Sequence, residues 1–277
     1  MRNPITFSTL ACPEWTIETI LARAVAFGYD GIEWRGSPDG HVRPFMPMSE
    51  RASLRRRVAD AGLFSLAVTA YTSFVSDDPA VQQDSVDELR RYLDLAAEVG
   101  ARYVRTFLGE LRPGDNLAAA RPRIAHCLAS AASHAEAVGV GIAVEPHDDF
   151  VRSASVAPIF ERVPHPAVGA VWDVGNTFAA GEDPAEGFQW LGQRLFYVQV
   201  KDSIGRHPDR RLTRLGEGEV PLAGAVTLLL NHGYQGAFSV EWERAWHSDL
   251  DPAEVALPHA LKAMRDLLAA SALEISP

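Results

Sequence analysis

The chain has 277 residues, 47% of them hydrophobic and 22% charged, and 26 Lys and Arg stand against 36 Asp and Glu for a formal charge of −10. This length allows two small domains or one large one, the composition is that of a soluble globular protein, and an acidic chain repels phosphate backbones, which excludes nucleic acid as the default partner. Cys12 and Cys127 lie far apart with no C-x-x-C spacing, which excludes a disulfide scaffold or a thiolate zinc site.

Taken in order, the first strand is expected at "ITFST" (5–9), and "TIETILARAVAFG" follows it with helical periodicity and a closing Gly. "GIEW" (31–34) is the second strand, and the "RRR" at 55–57 reads as the solvated face of the helix after it. "LFSLAVT" (63–69) leads to the amphipathic "SVDELRRYLDLAAEVG", and "RYVRTF" (102–107) to "RIAHCLASAASHAEAVG". "VGIAVE" (140–145), "VGAVWD" (168–173), "LFYVQVK" (195–201) and "AFSVEWE" (237–243) complete the strands. Several helical runs end in Gly, the residue that closes a helix in the left-handed conformation. Strands alternating with helices form parallel βαβ units, and eight of them at a spacing of about 30 residues predict a single-domain (β/α)8 TIM barrel. An open doubly wound sheet would want a Gly-rich turn after the first strand, and "STLACPEW" has none.

The strand ends carry the chemistry. The fifth strand ends in Glu145, the sixth in Asp173, the seventh carries Gln199 and the eighth runs into Glu241. Residues of the same parity are mostly small (Gly141 and Ala143, Gly169 and Val171, Ala237 and Ser239), while Ile142, Val144, Trp172, Val240 and Trp242 form the bulky alternate set. Strand side chains alternate faces, so the bulky set packs on the helices and the four polar groups point into the barrel mouth. Carboxylates gathered there in a low dielectric need a cation, and an all-oxygen donor set suits Mn2+, Mg2+ or Co2+ better than a structural zinc; Mn2+ is the ion expected, with Mg2+, Co2+ or Zn2+ as alternatives.

The segments "GIEWRG", "AVEPH", "VWDVGN", "VQVKD" and "SVEWER" resemble the xylose isomerase-like barrels, which include sugar epimerases, inosose dehydratases and hydroxypyruvate isomerases. The resemblance runs along essentially the whole chain and implies one divalent metal held by Glu145, Asp173, Gln199 and Glu241. Many members have His where this chain has Gln199. The hydroxypyruvate isomerase branch has Gln there and a "GRH" like Gly205-Arg206-His207, but usually lacks the Lys of "VKD" and has a His where Asn176 stands here. The resemblance also implies that Glu145 and Glu241 double as the acid/base pair. The reaction then expected is proton abstraction through a metal-stabilised enediolate, giving isomerisation or epimerisation of a sugar or small hydroxy-carbonyl compound, with inosose-type dehydration on the same scaffold as an alternative.

Other mouth residues carry two readings each. Glu33 ends the second strand facing inward, for substrate or ligand support or for an ion pair with a neighbour such as Arg105. His147 is a substrate contact or a loop His. Lys201 steers a hydroxyl or neutralises Asp202. Arg206 and His207, in the loop after the seventh strand, resemble substrate contacts, and Asn176 contacts substrate or caps a turn. "LGEGEV" (215–220) lacks P-loop spacing and carries two Glu, so it reads as a structural turn. Trp15 and Trp246 are candidates to wall the site, whereas Trp34 and Trp242 have core parity. DNA-repair endonucleases of the resembled fold need more His ligands and a basic surface, which this chain lacks. A non-catalytic metal- or carbohydrate-binding barrel remains the other alternative. The opening "MRNPITFSTLACPEW" has no long apolar leader core and no window has about 18 apolar residues, so a cytoplasmic location without membrane contact is expected. A small-molecule substrate is the expected partner, and a homo-oligomer is left open.

Overall fold

The β-branched and aromatic runs pair as parallel strands in the computed structural model, which describes residues 3–275. Met1 and Arg2, which open the segment read for a leader, lie outside the described residues, as do residues 276–277. The barrel strands are β1 (Ile5–Ser8), β2 (Gly31–Arg35), β3 (Phe64–Thr69), β4 (Ala101–Thr106), β5 (Gly141–Val144), β6 (Val168–Asp173) and β7 (Leu195–Val200). A hairpin of β8 (Asp202–Ile204) and β9 (Arg211–Thr213) follows, and then β10 (Phe238–Val240). Each of β1 to β6 lies beside its successor, and β10 closes the barrel between β7 and β1. Helices α1 (Ile17–Phe27), α2 (Met48–Asp60), α3 (Pro79–Val99), α4 (Leu117–Val138), α5 (Ser153–Arg162), α6 (Val174–Ala179), α7 (Pro184–Leu191), α8 (Leu222–Asn231) and α9 (Ala253–Ile275) complete the βα units. The fold is the (β/α)8 TIM barrel that the alternation implies. Among the described residues no helix is long and apolar enough to cross a membrane.

The parity of the strands sorts their side chains as expected. Leu66, Ala67, Ala143, Val171, Tyr197 and Ala237 form the cluster inside the barrel. Ile142, Val144, Trp34, Trp172, Val240 and Trp242 belong to the larger core between barrel and helices. The ring of Tyr103 stacks on Phe196 at 4.9 Å and on Tyr197 at 5.6 Å, plugging the barrel below the polar layer. Gly141 makes room for that plug, since a Cβ there would lie 2.9 Å from both Phe196 and Tyr103. Gly28, Gly100 and Gly139 end α1, α3 and α4 in the left-handed conformation.

Two expectations change. The fifth and eighth strands stop at Val144 and Val240, so Glu145 and Glu241 sit one step past them. Each still makes one more ladder bond, from Glu145 N to Thr106 O and from Glu241 N to Val200 O, both 3.0 Å. The β8–β9 hairpin is an addition, because three-residue strands are too short for alternation to register.

The "LGEGEV" turn is structural and wraps Asp202. Oδ2 accepts from the N–H of Gly216 (2.9 Å) and Gly218 (3.0 Å), and Oδ1 from Ser203 (2.9 Å) and Val220 (3.1 Å). Asp202 therefore has no need of Lys201, which pairs elsewhere.

Helix α5 has no side-chain cap at its own Arg152. Glu182 supplies one from the segment after α6, accepting from Ser153 N at 2.8 Å and Ser153 Oγ at 2.5 Å. Glu182→Ala is expected to destabilise the fold by about 2 kcal/mol, since it strands a buried hydroxyl and removes a cap. Thermal unfolding would show it as a fall of several degrees, and an unchanged midpoint would remove this role.

Candidate active site in the barrel mouth

Strand register brings the candidate residues together. Asp173 lies beside Gln199 across β6 and β7, and Gln199 beside Ser239 across β7 and β10, so Glu241 emerges two residues further along the same face. Arg105 lies beside Ala143, which places its side chain in line with Glu145. Glu33, Glu145, Asp173, Gln199, Glu241, Lys201 and Arg105 are all buried.

Three donors converge on Glu33: Ser239 Oγ at 2.6 Å, Tyr197 OH at 2.8 Å and Gln199 Nε2 at 2.9 Å. Burial and then the charge of Glu241 push the Glu33 carboxyl up to about 7, against the pull of Arg105 and its hydrogen bonds. The Gln199 amide nitrogen also donates to Glu241 Oε1 at 3.3 Å, which leaves Gln199 Oε1 buried with no hydrogen-bond partner among the described residues.

Two buried cations hold the carboxylates. Lys201 Nζ lies 2.8 Å from Asp173 Oδ2 and 2.5 Å from Glu241 Oε2, and it also contacts Glu243. Burial alone would lower the Lys201 pKa, but Asp173, Glu241 and Glu243 outweigh it and keep the ammonium charged. Glu243 is held down to about 2, Lys201 and then Arg210 overcoming the cost of its burial. Arg105 Nε contacts Glu145 Oε2, and its Nη2 lies 3.7 Å from Glu241 Oε1.

Asn176, at the start of α6, donates from Nδ2 to Glu145 Oε1 at 3.1 Å and from its backbone N to Asp173 Oδ1 at 2.9 Å. Its own Oδ1 accepts from Arg210 Nη1 at 2.8 Å. Above this layer opens a cavity of about 960 Å3, lined by His147, Asn176, His207, Arg210, Glu243 and His247 among others.

Not every candidate joins the cluster. Arg206 is exposed and lies over the Phe178 ring at 4.2 Å, and it is absent from the cavity lining. Trp15 is buried, with Nε1 donating to Glu254 at 3.1 Å, whereas Trp246 stands half exposed on the rim. Trp246 packs edge-on to Tyr71, Tyr71 to Phe107, and Phe107 against His147 at 4.2 Å, an aromatic wall leading to the cavity. Three functional candidates escaped the sequence. Glu243 shares the parity of Glu241 and was within reach of that signal. Arg105 is offered by the sequence only as a partner for Glu33, and Arg210 needs the β8–β9 hairpin to reach Asn176.

Do these donors suit a divalent cation? Among the described residues no three His, Cys, Asp or Glu side chains already converge as a metal-ligand group, because Lys201 and Arg105 stand between the carboxylates. Charge and donor type nevertheless fit. With Glu33 ionised, Glu33, Glu145, Asp173, Glu241 and Glu243 face Arg105, Lys201 and Arg210, an excess of two negative charges. Gln199 Oε1 is a buried oxygen with no partner among the described residues, and Asp173 Oδ2 and Glu145 Oε2 are buried oxygens held only by the ion pairs to Lys201 and Arg105; all three are the hard donors such an ion takes.

Comparison with known proteins agrees with the fold. The sequence profile of the xylose isomerase-like TIM barrel matches residues 21–267. A fructoselysine 3-epimerase of Escherichia coli O157:H7 is 26% identical over 242 residues, covering 81% of this chain and 85% of that protein. Among solved structures, the IolI protein with a bound zinc atom superposes with a TM-score of 0.82 at 20% identity, over 97% of this chain and 99% of that one. D-psicose 3-epimerase, crystallised in the presence of D-fructose, gives 0.79 at 16% identity over 96% and 99% of the two chains.

Proposed function

The chain belongs to the xylose isomerase-like TIM barrel family, and from that premise we propose that it is an isomerase or epimerase of a sugar or small hydroxy-carbonyl compound, working by removal of the proton beside a carbonyl. The observation that carries this reading is the pair Glu145 and Glu241: two buried carboxylates at the ends of β5 and β10, tied to one guanidinium and flanking Asp173 and Gln199 on the two strands between. The similarity to a fructoselysine 3-epimerase supports the same reading.

Glu145, Asp173, Gln199 and Glu241 would hold a divalent ion, Mn2+ before Mg2+, Co2+ or Zn2+, which when bound supplies Lewis-acid polarisation of the substrate carbonyl. The chain's own residues do the rest. One of the two carboxylates takes the proton, and either the same one or the other returns it, so epimerisation and isomerisation differ in where it is delivered. His147, Asn176, His207 and Arg210 line the cavity above and are placed to orient hydroxyl groups. Glu33 holds the Gln199 amide by its nitrogen, which leaves its buried oxygen without a hydrogen-bond partner among the described residues and free to serve as a ligand. Burial of the carboxylate layer keeps bulk water from the reacting carbon.

Proton NMR in D2O, with Mg2+-loaded protein and a panel of ketopentoses, ketohexoses, hydroxypyruvate and scyllo-inosose, tests the reading. Deuterium entering the carbon beside a carbonyl is the expected result, and the product separates isomerase from epimerase. Loss of water with exchange would move the protein to the dehydratases. Binding of a panel compound with no exchange would leave a binding barrel. Chelation with EDTA is expected to stop exchange, and undiminished exchange in the stripped protein would remove the metal from the scheme.

A further inference from the structure

We propose that Arg105 is a catalytic residue whose Nη1 donates to the substrate oxygen on which negative charge develops as the proton leaves. The inference rests on the isomerase or epimerase reading and adds a protein cation at the reacting atoms.

Its place in the fold comes first. Arg105 is on β4 with inward parity, and one guanidinium meets both carboxylates of the acid/base pair, through Nε to Glu145 and through Nη2 at 3.7 Å to Glu241. Its Cζ lies 4.1 Å from the centre of the Phe107 ring, which supports the guanidinium and packs in turn on His147 of the cavity wall. A side chain stacked on a ring and held at two points has little freedom to turn.

The unspent donor is the second observation. Arg105 is 3% exposed, yet its Nη1 is buried and has no hydrogen-bond partner among the described residues. Buried polar groups are nearly always paired, and a charged donor left without an acceptor is costly. A counter-ion role for Arg105 explains Nε and Nη2. It leaves Nη1 unexplained, whereas an acceptor arriving with the substrate explains it.

Chemistry makes the third point. When a carboxylate takes the proton, the C–H electron pair becomes the new carbon–carbon double bond and the carbonyl π pair moves onto oxygen. No electron leaves the substrate, and the pairs return when the proton is delivered. The oxygen gains charge only in that interval, so a donor aimed at it favours the transition state over bound substrate. An arginine stays protonated throughout, and its fork can serve the carboxylates and the oxyanion together.

Glycolohydroxamate, a planar anionic mimic of an enediolate, is the probe, titrated by calorimetry into Mg2+-supplied wild-type, Arg105→Ala and Arg105→Lys proteins. Arg105→Ala is expected to weaken binding about 10- to 100-fold with Mg2+ binding retained, and millimolar guanidinium is expected to restore part of the loss. Arg105→Lys, which keeps the charge without the fork, should fall between, and it decides the matter if the alanine variant does not fold. Wild-type affinity in Arg105→Lys together with Arg105→Ala, or in Arg105→Lys alone should the alanine variant not fold, would overturn the inference. So would absence of hydroxamate binding by the wild type, or a loss matched by lost Mg2+ and unrelieved by guanidinium. Deuterium exchange in the wild type tells the two proposals apart. Exchange with Arg105-independent hydroxamate binding sinks this one alone, and Arg105-dependent binding without exchange sinks the reaction and leaves an oxyanion site.

Discussion

Glu145→Gln and Glu241→Gln, made singly, are expected to lower epimerisation by about 100- to 10,000-fold while each leaves deuterium wash-out from one epimer. The reason is geometric: the two carboxylates follow β5 and β10, with Asp173 and Gln199 on the strands between them, so a substrate bound there would meet one carboxylate on each side. An enzyme with one base remaining can still remove and return the proton of the epimer that base faces. It cannot deliver to the opposite face. Glutamine is nearly isosteric, and both replacements leave the buried cations partners. Lys201 keeps Asp173 and Glu243 when Glu241 is changed, and Arg105 keeps Glu241 when Glu145 is changed. Melting curves of the variants check that the fold survives. Loss of exchange from both epimers in one variant, with the other unaffected, would point to a single shuttling carboxylate and hence to isomerisation. Wild-type turnover in both variants would refute the assignment.

The second large effect is on stability. Asp202→Ala is expected to cost about 3 kcal/mol or more, because the backbone N–H groups of Ser203, Gly216, Gly218 and Val220 lose a charged acceptor at once. For a chain of this size that lowers the melting midpoint by about 6–12 °C. Gly218→Ala should be comparably damaging for a steric reason. A Cβ there would lie 2.1 Å from Asp202 Oδ1 and 2.7 Å from Ser203 N, and neither can retreat without breaking the wrap. Gly224→Ala is the control, since a Cβ at that helical position meets nothing within 4 Å and is expected to be neutral or mildly stabilising. Equal midpoints for Asp202→Ala, Gly218→Ala and wild type would show that the turn holds without its carboxylate. The same loop explains why a Gly-rich stretch here is no phosphate site: its donors already surround an anion of the chain itself.

Much of the architecture could be read from residue order alone, because the information is local. Period-two alternation comes from strand geometry, so the inward parity of Asp173, Gln199 and Glu241, and the outward parity of Trp34 and Trp242, followed from counting. Strand–helix alternation with closing glycines led to the barrel for the same reason. Which groups meet inside the mouth is a different kind of fact. Lys201 could be placed on the right face, but its partners are Asp173, Glu241 and Glu243 and not the adjacent Asp202, whose oxygens a loop 14 to 18 residues away has taken. Arg105 reaches Glu145 and Glu241 from β4, Arg210 reaches Asn176 from the β8–β9 hairpin, and Glu182 caps a helix that starts 29 residues earlier. Those pairings depend on the closure of the barrel and on the reach of long side chains across it. Residue order sets which groups enter the mouth, and the closed barrel sets which of them are neutralised and which are left with a bond to give.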